Sequence, residues 1–336
     1  MTGDPASLKI CWQFFAPADA VLLWGLDDSY GTGSEVVPAN AVDGPTCVLL
    51  TGLQSATQYH YVLRSNSSEY KSSFTTPPDS NSTDLIFWGY SDTQSNQDVH
   101  DAIDASILKE IGDDPYRQTF VFDAGDLMDN ASEESLQENE FDARRINIVE
   151  LSSRLPRINA MGNHDGTKLF IKYYPYSYTQ TFDWSFDYGP AHFVVIDLYS
   201  NTDPTSPRWQ WLRDDLAASS KPWKFILLHE PGWSAGPHEN NKVVQKIIHP
   251  IAARYRVSIV FSGHNHYYAR AVVDGVTYLT SGGGGGELYD PEYGWPNIVD
   301  SFKAYHYLRI EIKDNLLTVT VLSPQGEQLS QFQINK

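Results

Sequence analysis

Cysteine is almost missing from this chain, with only Cys11 and Cys47 among 336 residues. That excludes a disulfide-dense scaffold and a zinc site built on thiolates. Long apolar runs are missing as well: none reaches the roughly 18 residues of a membrane span. Basic side chains are outnumbered, 24 against 42 acidic ones, for a formal charge of −18. A field of that sign repels phosphate, so binding to a nucleic-acid polymer or an anionic membrane surface is not expected. A small phosphorylated substrate would need a local positive centre, such as a metal ion. The opening Met1-Thr-Gly-Asp-Pro-Ala-Ser has neither the basic start nor the apolar core of a signal peptide. Oligomeric state has no signature here.

The length is about twice that of a usual domain, and 41% hydrophobic with 20% charged residues describes a globular protein. The pattern changes near residue 78. Short alternating runs at 8–13, 20–24, 46–50, 58–63 and 71–75 are separated by Gly, Asn and Pro. With no helical stretch among them, they predict a small antiparallel sandwich. The phrase Leu50-Thr-Gly-Leu-Gln-Ser-Ala-Thr-Gln-Tyr-His-Tyr and the closing Phe74-Thr-Thr-Pro-Pro resemble fibronectin type III domains, with Ser55 where proline is usual. A polar linker at 77–83 predicts the boundary, giving a sandwich at 1–78 and a second domain at 79–336. There, strand runs at 85–89, 119–124, 157–161, 192–197, 224–228 and 258–262 alternate with helical segments at 98–111, 132–155, 207–218 and 242–255. Such alternation predicts an α/β layered architecture. Runs at 275–278, 305–312 and 316–322 follow without helices and are expected to complete a second sheet. The expected fold is thus an all-β sandwich followed by an α/β domain with two mixed sheets flanked by helices.

Each strand run stops on a polar residue able to bind a cation. The first ends in Asp92, the next in Asp126, and the third in Asn163-His164-Asp165. The later ones end in His229 and in His264-Asn265-His266. Carboxyl ends of parallel strands share one edge, where ligand sites form. Two carboxylates, a carboxamide and three imidazoles arriving there make an oxygen and nitrogen donor set, suited to zinc, manganese or iron. Six donors exceed what one four-coordinate ion needs, and a shared carboxylate can bridge two ions about 3.5–4 Å apart. If His264 and His266 lie on extended chain, both rings fall on one side and can serve different ions.

Asp92, Gly125-Asp126-x-x-Asp129, Gly162-Asn163-His164-Asp165, His229 and Gly263-His264-x-His266 occur in the order that resembles the calcineurin-like metallophosphoesterases. The fibronectin-like segment in front makes the whole chain similar to the purple acid phosphatase arrangement. The resemblance implies a binuclear phosphohydrolase working by attack of a metal-bound hydroxide. Asp92, Asp126 and His266 would hold one divalent ion; Asp126, Asn163, His229 and His264 would hold the other. His164 would protonate or stabilise the leaving oxygen, and Asp165 would orient its imidazole. Two departures matter. Gln94 stands where most of the family has histidine, so it would join the first set only as a weak ligand through its carbonyl oxygen, or as a substrate contact. Asp129 stands where the purple enzymes have tyrosine, so no tyrosinate colour is expected. By the same analogy the protein is expected to be secreted or periplasmic.

Plainer readings compete for other residues. His60, His100, His192 and His306 lie outside the motifs and read as surface or hydrogen-bonded core residues. His238, in the loop after His229, is a candidate substrate contact, with an ordinary surface role the plainer reading. The glycine run Gly282–Gly286 suits an anion cradle or a tight turn, and the lack of a following lysine excludes a P-loop. Tyr173–Tyr178 is expected to be a surface loop, and Arg270 to brace its loop by a salt bridge. Neighbouring strands would allow a disulfide between Cys11 and Cys47, with two free thiols the equal alternative. Phosphomonoesters are the favoured substrates and phosphodiesters, including nucleotide ones, the alternative. A degenerate metal-binding adhesion module is the rival from outside enzymology.

Overall fold

The computed structural model describes residues 4–14, 16–39 and 43–336. The front of the chain holds β1 (Leu8–Trp12), β2 (Ala20–Gly25), β3 (Gly33–Val37), β4 (Thr46–Leu50), β5 (Gln58–Ser65) and β6 (Ser68–Thr75). β1 pairs with β4, and β3-β2-β5-β6 form an antiparallel sheet facing them. Leu22, Leu50, Tyr59, Leu63 and Phe74 fill the space between. Cys11 lies directly opposite Cys47 on β1 and β4, and the two are disulfide-bonded. β3 escaped sequence reading because Gly-Ser-Glu-Val-Val is a mostly exposed edge strand without apolar alternation. Tyr61 donates to the Ser153 carbonyl at 2.8 Å, tying the sandwich to the rest of the chain.

Two further sheets stand face to face. One has the order β19-β18-β17-β7-β8-β9, from β7 (Asp84–Tyr90), β8 (Val121–Asp123), β9 (Arg157–Asn159), β17 (Tyr307–Lys313), β18 (Leu316–Leu322) and β19 (Gln328–Asn335). The other has the order β10-β11-β12-β13-β15-β14-β16, from β10 (Trp184–Tyr188), β11 (Ala191–Val195), β12 (Trp223–Leu227), β13 (Ile259–Ser262), β14 (Tyr268–Val273), β15 (Val276–Ser281) and β16 (Ile298–Phe302). Leu85 and Phe87 of β7 point between the sheets, while Ile86, Trp88 and Tyr90 point to the helices outside. Both faces are covered, which is why the central strands are continuously apolar instead of alternating. Helices α1 (Gln97–Ile111) and α3 (Ile146–Arg154) cover the first sheet; α5 (Arg208–Ala218) and α6 (His249–Arg254) cover the second. Ile103, Ile107 and Ile111 of α1 follow helical spacing onto that sheet.

Several expectations change. The helix expected at 132–155 is two, α2 (Glu133–Glu140) and α3. Asp101 of α1 accepts the Asn147 N–H at 3.0 Å, starting a new helix from outside. A helix α4 (Thr167–Tyr173), the strands β10, β16 and β19, and a single π turn (Val244–Ile248) before α6 were not foreseen. The tail does not complete one sheet: β15 joins one, and β17 to β19 extend the other. The tyrosine run is no surface loop. Tyr176 stacks on Trp184 at 4.1 Å, and its hydroxyl donates to the Arg157 carbonyl. Arg270 forms no salt bridge among the described residues; its guanidinium lies over the Phe332 ring at 4.6 Å.

The sheets are joined by aromatic rings. Phe87 is fully buried, with Phe120, Phe193 and Phe225 centred 5.0, 5.3 and 5.7 Å away. Phe87→Ala should lower stability by about 3–5 kcal/mol through lost burial and an uncollapsed cavity. A lower urea midpoint at unchanged slope is the measurement.

Candidate metal centre

The carboxyl ends of β7, β8 and β9 face those of β12 and β13, so five loops from two sheets meet at one edge. Asp92, Asp126 and His264 each have a left-handed backbone, with φ of 60°, 60° and 68°. A non-glycine residue adopts that conformation at a cost, and three at one site mark a geometry that surroundings enforce. The enforcing bonds are visible. Asp92 N–H donates to the Gly125 carbonyl at 3.0 Å, and His264 N–H donates to both Asp92 oxygens at 3.0 Å. The His264–Tyr267 stretch is not extended, as supposed from the i, i+2 spacing. Asn265 N–H bonds the Gly263 carbonyl and Tyr267 N–H bonds that of Asn265, both at 2.8 Å. Two successive three-residue turns therefore present the histidines.

Ligand atoms of Asp126, His229 and His264 lie within 4.8 Å of one another. His229 Nε2 stands 3.1 Å from Asp126 Oδ2 and 3.2 Å from Asn163 Oδ1. Its Nδ1 is 2.9 Å from the Ala124 carbonyl, which can only accept, so Nδ1 carries a proton and Nε2 faces the cluster. His266 repeats the device: Nδ1 donates to the Glu287 carbonyl at 2.8 Å, and Nε2 lies 3.4 Å from Asp92 Oδ1. Burial alone would push His229 down and Asp126 up. Their mutual attraction wins, holding His229 at about 10 and Asp126 at about 2. Burial, then the His229 charge, lowers His264 to about 4. Gln94 is 3% exposed and its Oε1 has no hydrogen-bond partner, an orphan acceptor two residues from Asp92. Oriented Nε2 atoms, buried carboxylates and an unpaired carbonyl oxygen are a donor set that fits divalent cations.

Asp165 does not orient His164. Its carboxylate accepts the N–H groups of Asp126 (3.0 Å), Leu127 (3.0 Å) and Gly162 (2.8 Å), clamping two ligand loops together. The His164 imidazole is held instead by the Asp129 carbonyl, 2.7 Å from Nδ1, and its backbone N–H donates to Asp126 Oδ1 at 2.8 Å. The His164 side chain is 43% exposed, with Nε2 4.0 Å from Asp126 Oδ2. The Asp129 carboxylate is taken up by Ser95 and Asn139, away from the cluster. Gly162 lies so close to Asp126 that a Cβ would sit 2.1 Å from Oδ1.

Behind the first ligand loop lies a buried polar layer that the motifs did not suggest. Thr93 Oγ1 faces Asp123 Oδ2 at 3.3 Å and Glu140 Oε1 at 3.2 Å. His100 stands 3.8 Å from Glu140 and 3.5 Å from Asp104, which pairs with Arg157 at 2.8 Å. One hydroxyl proton cannot serve both carboxylates at once, and burial favours the protonated form of each. Burial pushes Glu140 up to about 7 against the pull of Arg157, and burial with the Glu140 charge raises Asp123.

Other residues converge on the rim. The glycine run packs on the first ligand loop: Gly284 N–H donates to the Ser91 carbonyl and Gly286 N–H to that of Asp92, at 2.9 and 2.8 Å. A Cβ at Gly286 would stand 2.5 Å from the His266 ring. Tyr289 stacks on His266, centroids 4.5 Å apart at 10°. His238 reaches the site, its ring 4.4 Å from that of His264. His100 and His306 are fully buried and His192 sits between Asp187 and Asp215, all remote from ligand roles. His60 pairs with Asp28 in the sandwich.

Two outcomes follow from these contacts. The folded pKa of Glu140 lies above its unfolded value, so its contribution is complete below about pH 4 and lost as the pH rises through about 7. Glu140→Gln should therefore gain stability relative to the wild type between pH 5 and 8, by up to about 3 kcal/mol, in paired urea titrations. Gly286→Ala should push the His266 ring aside and lower bound metal, read by elemental analysis, with the far-ultraviolet dichroism unchanged.

Residues 87–268 match the calcineurin-like phosphoesterase family model. Purple acid phosphatase 22 of Arabidopsis thaliana is 27% identical over 243 residues, 65% of this chain and 51% of its own length. The chain thus spans about half or less of the curated relatives it matches. Among solved structures, purple acid phosphatase PPD1 from yellow lupin (Lupinus luteus) seeds aligns with a TM-score of 0.82 at 15% identity, covering 100% of this chain and 73% of that one. PhoD aligns at 0.70 and 12% identity, over 98% and 88%. At these identities the structural likeness is one of fold. The family match itself takes in more than half of the residues, from the strand before Asp92 to the one after His266, and the chain belongs to the calcineurin-like phosphoesterases.

Proposed function

We propose that the chain is a binuclear metal-dependent phosphohydrolase acting on small phosphate esters, phosphomonoesters foremost. The observation that carries this is the gathering of Asp126, His229 and His264, with ligand atoms within 4.8 Å, beside the Asp92–His266 pair at 3.4 Å. Asp126, Asn163, His229 and His264 would hold one ion; Asp92, Asp126, His266 and Gln94 Oε1 would hold the other. The second of these sets is richer in oxygen, which suits a harder ion such as manganese or ferrous iron, whereas two imidazoles suit zinc. Bound there, two divalent ions lower the pKa of a water and stabilise charge on the phosphoryl oxygens.

The protein's own groups handle the proton. His164 keeps Nδ1 on the Asp129 carbonyl, so Nε2 is the atom turned to the site. As an imidazolium it would give that proton to the departing ester oxygen and be left neutral. His238 lies against His264 and would face the phosphoryl oxygens. Two imidazole donors suit the several terminal oxygens of a monoester. Glu230, whose charge acts on both His238 and His264, favours the second reading: a diester carries one negative charge less and is repelled less. An imidazole held by a backbone carbonyl beside the ligands has no use in an adhesion module. The Cys11–Cys47 bond suits an oxidising compartment, so export to the periplasm or outside the cell is part of this proposal. Among the described residues no helix is long and apolar enough to cross a membrane.

His164→Ala should lower kcat on p-nitrophenyl phosphate by about 10²–10⁴-fold with both metals retained. Asn163→Ala should reduce metal content as well. Full activity in either variant would refute the assignment, and the rate ratio between p-nitrophenyl phosphate and its bis-ester decides between the two ester classes.

A further inference from the structure

The short segment His264–Tyr267 touches two different things. His264 and His266 turn to the ligand cluster. Asn265 and Tyr267, both fully buried, end on the loop that follows His229. Asn265 Oδ1 accepts the backbone N–H of His238 at 3.1 Å, and its Nδ2 donates to Ser234 Oγ at 3.0 Å. Ser234 in turn donates to Asn240 Oδ1 at 2.8 Å, closing the loop on itself. The Tyr267 hydroxyl accepts the Ala235 N–H at 2.8 Å and donates to the Gly236 carbonyl. Loop positions 234, 235, 236 and 238 are thus fixed by two side chains that alternate in sequence with two metal-ligand candidates. The loop so held lays the His238 ring against His264, with Tyr289 5.5 Å away on its other side.

We propose that Asn265 and Tyr267 are positioning residues for His238. One segment presents ligands to the ions with His264 and His266, and places the substrate-facing imidazole with the residues between and after them. This rests on the reading above that His238 faces substrate. The consequence is mechanical. His238 is registered against the ions by a stretch of four residues, so its distance from the phosphoryl group is set by the same turn that holds the metals. A side-chain imidazole on an untethered loop would have no such register, and displacement by about 1 Å can cost about 100-fold in rate.

The test uses the metal-loaded full chain with p-nitrophenyl phosphate. Asn265→Ala and the milder Tyr267→Phe, which keeps the ring in its packing, should retain wild-type metal content. Both should speed backbone amide exchange across residues 234–240. Each should lower kcat/KM by about 10- to 100-fold. In a His238→Ala background the same substitutions should cost less than about twofold, because the residue they act through is gone. An equal loss in both backgrounds, or unchanged amide exchange, would overturn the proposal. Unchanged kinetics in His238→Ala alone would overturn it together with the place given to His238, while the phosphohydrolase reading, tested through His164, would stand.

Discussion

Carboxylates crowd beneath one sheet edge, and the rest of the catalytic half is arranged to tolerate them. Asp92, Asp123, Asp126, Asp165 and Glu140 are all nearly or fully buried there. Burying one uncompensated charge costs several kcal/mol, so five within a few turns of chain need specific answers. Asp165 is answered by three backbone N–H groups, Asp92 by the His264 N–H and the His266 ring, and Asp126 by His164 and His229. Glu140 and Asp123 are answered by keeping a proton. The left-handed backbone at Asp126 and His264 belongs to the same solution, since it aims their N–H groups at the carboxylates of Asp165 and Asp92. The Asp92 N–H goes to the Gly125 carbonyl. Asp92 and Asp126 are the two whose oxygens meet histidine side chains, and they are the carboxylates that the proposed ions would neutralise further.

The same requirement accounts for the glycines. Loops that approach within hydrogen-bonding distance of a buried carboxylate leave no room for a side chain. Gly162 meets Asp126 in this way, and Gly286 meets the His266 ring. The glycine run therefore spends the N–H groups of Gly284 and Gly286 on the carbonyls of Ser91 and Asp92, in the first ligand loop.

Much of this was legible before any coordinates. Strands that stop on Asp, Asn or His stand out because their apolar runs are unbroken, a result of burial on both faces. Less legible were residues whose role depends on partners distant in sequence. Glu140 looks like one more acid on a polar helix; only its approach to Thr93, 47 residues earlier, gives it a place. Asp165 sits beside His164 in the chain but bonds elsewhere, because the turn at 162–165 points its carboxylate back under Asp126. The tyrosines at 173–178 read as loop since aromatic residues there follow no period, yet they pack on Trp184. β19 is hard to read because polar residues fill most of this edge strand, and only Phe332 and Ile334 alternate toward the core.

The net charge of −18 is less of an obstacle to an anionic substrate than it looks. At physiological ionic strength charges beyond about 8 Å are largely screened, so the ester responds to what lines the rim. On that rim Glu230 bonds the Tyr199 hydroxyl and receives the Asn241 amide at 2.8 Å. Those donors blunt its charge without removing it. Opposed to it are the histidines at 164, 229, 238, 264 and 266 and the ions they would border. Under the proposed function, a phosphoryl group small enough to sit among them would meet the ions and imidazole N–H donors. On the same reading, a polyanion extending outward would meet Glu230 and the acidic surface beyond, so a compact ester is the better fit.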